Sequence, residues 1–154
     1  MKNIFFLVLL VIFTANIQAK STDKILVLQR LASGHMIADV KIKGITSKFI
    51  IDTGSTSSVI DKALVSKLVL KPVESDKKIT GYAPGQVEYS MSQYTINDVL
   101  AGDLLTTDVV FVEQDIASAF AGLTESPIGG ILGQDVLAAH GLLLDFKASS
   151  LSLP

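Results

Sequence analysis

The sequence FIIDTGSTSS, residues 49–58, places an acid at the end of an apolar run that is typical of a buried strand. Gly54 lets the backbone turn sharply directly after Asp52. A carboxylate in such a dry place is costly to ionise unless N–H and hydroxyl groups donate to it. Thr53, Gly54 and Ser55 can supply those donors. This stretch therefore predicts a site in which Asp52 is a tuned acid.

Short apolar runs broken by Gly, Asn, Asp and Ser follow one another along the rest of the chain. This pattern is typical of a mostly-β domain. Apolar and polar residues alternate in 40–43 and in 151–153, which predicts one solvated face for each. The predicted strands are residues 24–31, 35–43, 47–51, 58–60, 77–82, 87–95, 108–112, 128–132, 142–146 and 150–153.

Two short helices are predicted from their caps. Asp61 can accept a backbone N–H at the start of residues 62–68. Asp135 can do the same before residues 136–140, where Gly141 is placed to end the helix in a left-handed conformation. For Asp135 the cap role is favoured over a catalytic one. Each helix comes after an apolar strand, which indicates a faint internal duplication.

Two glycine-containing motifs follow the acid along the chain. Gly81-Tyr82-Ala83-Pro84-Gly85 lies between two predicted strands and suits the tip of a hairpin. An ordinary surface hairpin is the alternative for this segment. Ile131-Leu132-Gly133 is an apolar run that leads directly into the second predicted helix.

These motifs together resemble the single-lobed, retropepsin-like aspartic peptidases, and the likeness covers roughly residues 37–153. The resemblance implies a mostly-β, retropepsin-like acid-protease β-barrel with one or two short helices and a flap hairpin. It implies that Asp52 is the catalytic residue, supported by Thr53, Gly54 and Ser55. It also implies that Ile131, Leu132 and Gly133 form half of a ψ-shaped loop arrangement, and that Gly81, Tyr82, Ala83, Pro84 and Gly85 belong to the flap over bound peptide.

A monomer lacks the second carboxylate of such a site, because the chain contains one Asp-Thr-Gly triplet. The prediction is therefore a homodimeric endopeptidase in which two copies of Asp52 activate a water, without metal or cofactor. Gln134 stands where retroviral relatives usually carry a basic residue that pairs across the dimer, so the stability of the dimer stays open. The alternatives are an inactive peptide-binding or assembly module of the cell envelope and an envelope structural domain with no groove.

Composition excludes several other classes of function. A chain of 154 residues with a net charge of -2 predicts one domain and offers no basic surface to nucleic acid. Without cysteine it has no disulfide and no thiol nucleophile. His35 and His140 lack a second ligand at metal-like spacing, and structural roles are predicted for both. Four acids outside the motif are predicted to be solvated: Asp98, Asp103, Asp108 and Asp115.

The first 19 residues have the order of a secretory signal peptide. Lys2 precedes an apolar core, and Ala19 offers a small residue for cleavage. The predicted domains are thus a signal peptide, 1–19, and a peptidase domain, 20–154. Export to the periplasm or the exterior is expected, and an uncleaved N-terminal anchor would be the contact with a membrane.

Overall fold

The computed structural model describes residues 24–73, 79–83 and 87–154, which form fourteen strands and three short helices. The mostly-β class is confirmed, with one helix more than predicted. The strands are β1 (Lys24–Val27), β2 (Gln29–Arg30), β3 (Met36–Ile42), β4 (Ile45–Ile51), β5 (Ser58–Asp61), β6 (Ile79–Ala83), β7 (Val87–Met91), β8 (Gln93–Ile96), β9 (Val99–Ala101), β10 (Leu104–Thr106), β11 (Val109–Gln114), β12 (Ile128–Leu132), β13 (Leu143–Asp145) and β14 (Ser150–Ser152). The helices are α1 (Lys62–Leu68), α2 (Ile116–Ala119) and α3 (Gln134–Ala139).

A tight hairpin joins β3 to β4, the strand that leads to Asp52. Lys43 and Gly44 both have positive φ, 46° and 86°, which is the backbone twist that suits a two-residue hairpin turn. Val40 and Ile42 are fully buried, whereas Lys41 between them is exposed. The predicted alternation in 40–43 is therefore confirmed, and this alternation fixes the face that β3 presents to the core.

The main sheet has nine strands in the order β10-β9-β3-β4-β12-β5-β11-β8, with β2 paired to β3, and it curls into a half-barrel. Strand β12 lies inside it, parallel to β4 and antiparallel to β5. All five residues of β12 are buried, as is typical of a strand covered on both faces. The parallel pairing brings the carboxyl ends of β4 and β12 side by side.

The core is centred on two aromatic rings from strands on opposite sides of β12 and β5. Phe49 of β4 and Phe111 of β11 are fully buried and pack edge to face with centroids 6.2 Å apart. A Cβ at Gly130 would lie 2.4 Å from the Phe49 ring and 2.2 Å from the carbonyl oxygen of Val59. Glycine at this position therefore lets the ring and β5 approach β12 closely.

A second sheet joins the two ends of the described chain, in the order β1-β14-β13. Ser150 and Ser152 of β14 are buried, and Leu153 is 48% exposed. The predicted alternation in 151–153, with serine on a solvated face, is therefore wrong. Neighbouring residues of a strand point to opposite faces, so the burial of both Leu151 and Ser152 shows that β14 is covered on both faces at this point.

Helix α1 begins where its cap was predicted. Asp61 is buried and accepts the N–H of Ala63 at 2.8 Å through one carboxylate oxygen. Its other oxygen accepts the N–H of Ala117, also at 2.8 Å. Helix α2, which sequence patterning missed, is thereby tied to the start of α1. Strands β9 and β10 were also missed.

The predicted glycine-containing hairpin is formed by β6 and β7, which pair in a separate two-stranded sheet. Gly81, Tyr82 and Ala83 lie in β6, and Ala83 pairs with Val87. The remaining tip residues, 84 and 85, lie outside the described residues, and so does the predicted signal peptide. None of the helices in the described residues has the length and apolar character needed to cross a membrane.

Candidate active site

Asp52 is the first residue beyond β4, and its backbone is anchored to β12. The N–H of Asp52 donates to the carbonyl oxygen of Leu132 at 3.1 Å, which continues the parallel ladder that pairs Ile50 with Ile131 and Ile51 with Leu132. Ile51 is buried and Asp52 is half-buried. The strand therefore delivers this carboxylate from the core to the molecular surface.

Gly54 fixes the orientation of the Asp52 carboxylate. Its N–H donates to Asp52 Oδ1 at 2.8 Å, and a Cβ at residue 54 would lie 3.2 Å from the same oxygen. The Ser55 N–H donates to the Asp52 carbonyl oxygen at 3.3 Å and closes the turn. A small residue at position 54 thus allows the turn to fold back onto its own acid.

The other predicted donors have different places in the structure. The Ser55 hydroxyl donates to the carbonyl oxygen of Ser57 at 2.7 Å, so it stabilises the loop after the turn. Thr53 is exposed and has no hydrogen bond to Asp52 among the described residues. Of the three predicted donors Thr53, Gly54 and Ser55, Gly54 is therefore the one that donates to the Asp52 carboxylate within a single chain.

The loop after β12 packs directly against the loop after Asp52. A Cβ at Gly133 would lie 2.8 Å from the carbonyl oxygens of Ser55 and Ser57. The N–H of Gln134 donates to the Ser55 carbonyl oxygen at 2.8 Å, and the N–H of Gly133 donates to Ser58 Oγ at 3.0 Å. Ile131, Leu132 and Gly133 thus lie beside the Asp52 turn. Their assignment to a ψ-shaped arrangement stays a prediction.

Asp135 does not cap α3, contrary to the prediction. The helix begins two residues earlier than predicted, at Gln134, with Gly133 at the cap position and no side-chain cap bond. The carboxylate of Asp135 accepts the N–H of Val136 at 2.9 Å within the first turn, and it also accepts the N–H of Ser58 at 2.8 Å and the Ser58 hydroxyl at 2.7 Å. Ser58 is fully buried. Its hydroxyl donates to Asp135 and accepts the Gly133 N–H, which joins the chain after Asp52 to the chain after β12.

A groove of about 390 Å³ opens beside Asp52. Its walls come from the turn before β3, the end of β4 and the region around β13. The lining residues are Ser33, Gly34, His35, Met36, Ile50, Ile51, Asp52, Thr53, Leu144 and Phe146. Apolar side chains thus surround one acid and one imidazole, a composition typical of a ligand groove.

His35 was predicted to have a structural role, and the structure places it in this groove with Asp52. Ser33-Gly34, with Gly34 at φ 90°, turns the chain immediately before it. Sequence reasoning also missed Ser58, whose partner Asp135 is 77 residues away. The Ser-Gly turn was visible in the sequence, but nothing in it indicated proximity to Asp52.

Metal ligation has no support among the described residues, where no group of three or more His, Asp or Glu side chains could hold an ion. The metal-independent mechanism stays a prediction. The four acids predicted to be solvated are all exposed: Asp98, Asp103, Asp108 and Asp115.

Known proteins resemble most of the chain, including the turn at Asp52 and the loop at Gly133. The family model described as aspartyl protease matches residues 38–136. Among curated proteins, no match is found. The structure is similar to a retropepsin-like aspartic protease from Rickettsia conorii, with a TM-score of 0.55 and 20% identity over 82% of this chain and 88% of that one. It is also similar to the retroviral protease-like domain of Ddi1 from Leishmania major, with a TM-score of 0.54 and 14% identity over 77% of this chain and 86% of that one. The retropepsin-like fold is thereby confirmed.

Proposed function

Because the chain belongs to the aspartyl protease family, we propose that it is an aspartic endopeptidase whose active site contains Asp52 from two copies of the chain. The observation that carries the proposal is the position of Asp52. Its carboxylate is held by the Gly54 N–H at 2.8 Å, at the end of a buried parallel strand pair and in the wall of a groove.

The second carboxylate has to come from another copy. The equivalent end of β12 carries Leu132 and Gly133, which offer no acid. Asp135 is close in sequence, but both of its oxygens accept hydrogen bonds from Ser58. The groove is lined by no acid besides Asp52 among the described residues. A two-fold related Asp52 completes the site with the same turn and the same Gly54 donor.

The chemistry follows from two carboxylates that share one proton, because like charges at close range cannot both ionise cheaply. The ionised Asp52 takes a proton from a water, whose oxygen attacks the peptide carbonyl carbon. The protonated Asp52 of the other copy donates its proton to the carbonyl oxygen. Collapse of the tetrahedral intermediate breaks the C–N bond, and the leaving nitrogen takes up a proton. No covalent enzyme intermediate forms.

The β6–β7 hairpin is proposed as the flap over an extended peptide. It forms a two-stranded sheet separate from the main sheet, so both of its outer edges lack a strand partner among the described residues. Such a ribbon offers backbone N–H and C=O groups to a peptide and shields the reaction from water. Gly81, Tyr82, Ala83, Pro84 and Gly85 are assigned to this flap.

Residues 1–19 are proposed to direct export to the periplasm or the exterior, on their sequence pattern alone. The proposal expects mature protein that begins at Lys20. Edman sequencing of protein recovered from an envelope fraction tests this. An intact Met1 in that fraction would instead indicate an uncleaved anchor.

Activity is tested with pooled unfolded peptides and with Asp52→Asn, which removes the acid–base group with little change in volume. Cleavage by the wild type should be blocked by a statine-type transition-state mimic and lost in the variant, while circular dichroism and dimer mass are unchanged. Asp103→Asn is the matched control, because Asp103 is exposed and outside the groove. Cleavage that survives in Asp52→Asn would overturn the proposal. Peptide binding without cleavage by the wild type would identify an inactive peptide-binding module.

A further inference from the structure

His35 has one ring nitrogen in use and one without a partner. Nδ1 lies 2.9 Å from the Ser33 hydroxyl oxygen, and the ring packs edge to face on Phe120 with centroids 5.6 Å apart. Among the described residues, no hydrogen bond is made by Nε2. The half-buried ring is therefore held in place by two contacts while one polar atom stays available to a ligand.

His35 lies in the wall of the same groove as Asp52, so a ligand in the groove can reach its ring. The other walls of the groove include Met36, Ile50, Leu144 and Phe146, which supply apolar surface. Among the described residues that line the groove, His35 is the one side chain that can carry a positive charge. A ligand carboxylate seated in this groove would find a cationic donor at His35.

The charged groups near the His35 ring offer no other cation to a ligand carboxylate in the groove. Asp52 lines the same groove and opposes an acidic ligand whenever it is ionised. Arg30, whose strand pairs with Met36, does not line the groove, and neither does Asp115 before α2. Asp145 accepts the N–H groups of residues 147 and 148, which occupies its Oδ1. The two contacts of the ring, a serine and a phenylalanine, bear no charge.

We propose that His35 is a specificity-determining residue that selects peptides with an acidic side chain next to apolar ones. The inference rests on the proposed function in that it treats the groove as the peptide site. A hydrogen bond between an imidazolium and a carboxylate is charge-assisted and stronger than a neutral one. An imidazole ring becomes cationic by taking up a proton, which lower pH favours. Selection for Glu over Gln should therefore increase toward low pH.

The test uses an apolar peptide in which each position in turn carries Glu or Gln. For each pair, kcat/KM is measured on the same enzyme at the same pH, so that titration of the catalytic acids cancels in the ratio. At one position the Glu/Gln ratio should reach about tenfold and should fall toward one as the pH is raised. In His35→Gln the ratio should be at or below one at every pH, because the Asp52 charge then acts alone.

His140→Gln is the matched control, since His140 lies at the end of α3 and lines a different cavity, with Asp135. It should keep the wild-type ratio and its pH dependence. A ratio that is the same in wild type and His35→Gln would overturn the inference.

Binding of the same peptide pairs to Asp52→Asn separates this inference from the proposed activity. If the wild type cleaves nothing but the variant binds Glu peptides more tightly in a His35-dependent manner, the selection role stands and the peptidase proposal fails. If cleavage is normal but Glu and Gln peptides are cut and bound equally, the peptidase proposal stands and the role of His35 is refuted. If neither peptide is bound or cleaved, both are refuted.

Discussion

Ser58→Ala should separate the two loops of the candidate active site and destabilise the protein. The substitution removes a fully buried hydroxyl that accepts the Gly133 N–H at 3.0 Å and donates to Asp135 at 2.7 Å. A buried N–H left without an acceptor costs about 1–3 kcal/mol. Asp135 is exposed and keeps the Ser58 N–H, so water replaces most of what it loses. We expect a loss of about 2–3 kcal/mol in the free energy of unfolding.

Urea unfolding followed by circular dichroism measures this loss, at one protein concentration for all variants because the proposed dimer would make stability depend on concentration. Ser66→Ala is the matched control. Its hydroxyl is exposed on α1 and donates to the carbonyl oxygen of Lys62 at 2.9 Å, so its removal should change stability by less than about 0.5 kcal/mol. The same assay on Asp135→Ala and on the double variant should give a coupling energy of about 1 kcal/mol or more. A cost for Ser58→Ala equal to that of Ser66→Ala would refute the reasoning.

Three further perturbations test the packing and electrostatics. Gly133→Ala would place a Cβ 2.8 Å from the Ser55 carbonyl oxygen and should cost about 1–3 kcal/mol in urea unfolding together with most of the peptide cleavage, so wild-type values for both would contradict the close packing of the loops. Phe49→Ala empties a fully buried site and should cost about 3–5 kcal/mol, and a loss below about 1 kcal/mol would show that the ring is not part of the core. Burial, followed by the 2.6 Å hydrogen bond to Glu113, raises the pKa of Tyr94 above its usual 10.0. Because the folded pKa is the higher one, the contribution of Tyr94 to stability is present below pH 10.0 and is lost as the pH rises through the folded pKa. Unfolding free energies measured across that range should decline less steeply in Tyr94→Phe, and equal slopes would contradict the assignment.

Local patterns predicted the parts of the structure that depend on neighbours in sequence. The alternation around Val40 identified the buried face of β3, and the apolar run before Asp52 identified a buried strand. Asp61 was recognised as a cap because its acceptor role requires only the next two residues. The ψ-shaped loop element at Gly133 was expected from the resemblance of its motif and stays a prediction, while the structure shows Gly133 packed against the loop after Asp52.

The failed predictions involve partners that are distant in sequence. Asp135 lies where a cap of the predicted helix 136–140 would lie, but α3 already begins at Gln134, and Ser58 reaches the Asp135 carboxylate from 77 residues away. Ser152 looks solvated by alternation, but it is as buried as Leu151 on the opposite face, so other parts of the chain cover both faces of the strand. The proximity of His35 to Asp52 was also invisible in the sequence, because it depends on the pairing of β3 with β4. In each case tertiary contacts outweigh the local signal.

The dependence of cleavage on two copies of Asp52 is tested most directly by mixing wild type with Asp52→Asn at constant total concentration, after conditions that allow subunits to exchange. An asparagine in either half removes the shared proton, so mixed dimers should be inactive and the rate should fall as the square of the wild-type fraction. The same mixture made with Asp103→Asn should lose no activity. A rate that falls in direct proportion to the wild-type fraction would show that each chain acts alone and would contradict the proposed dyad.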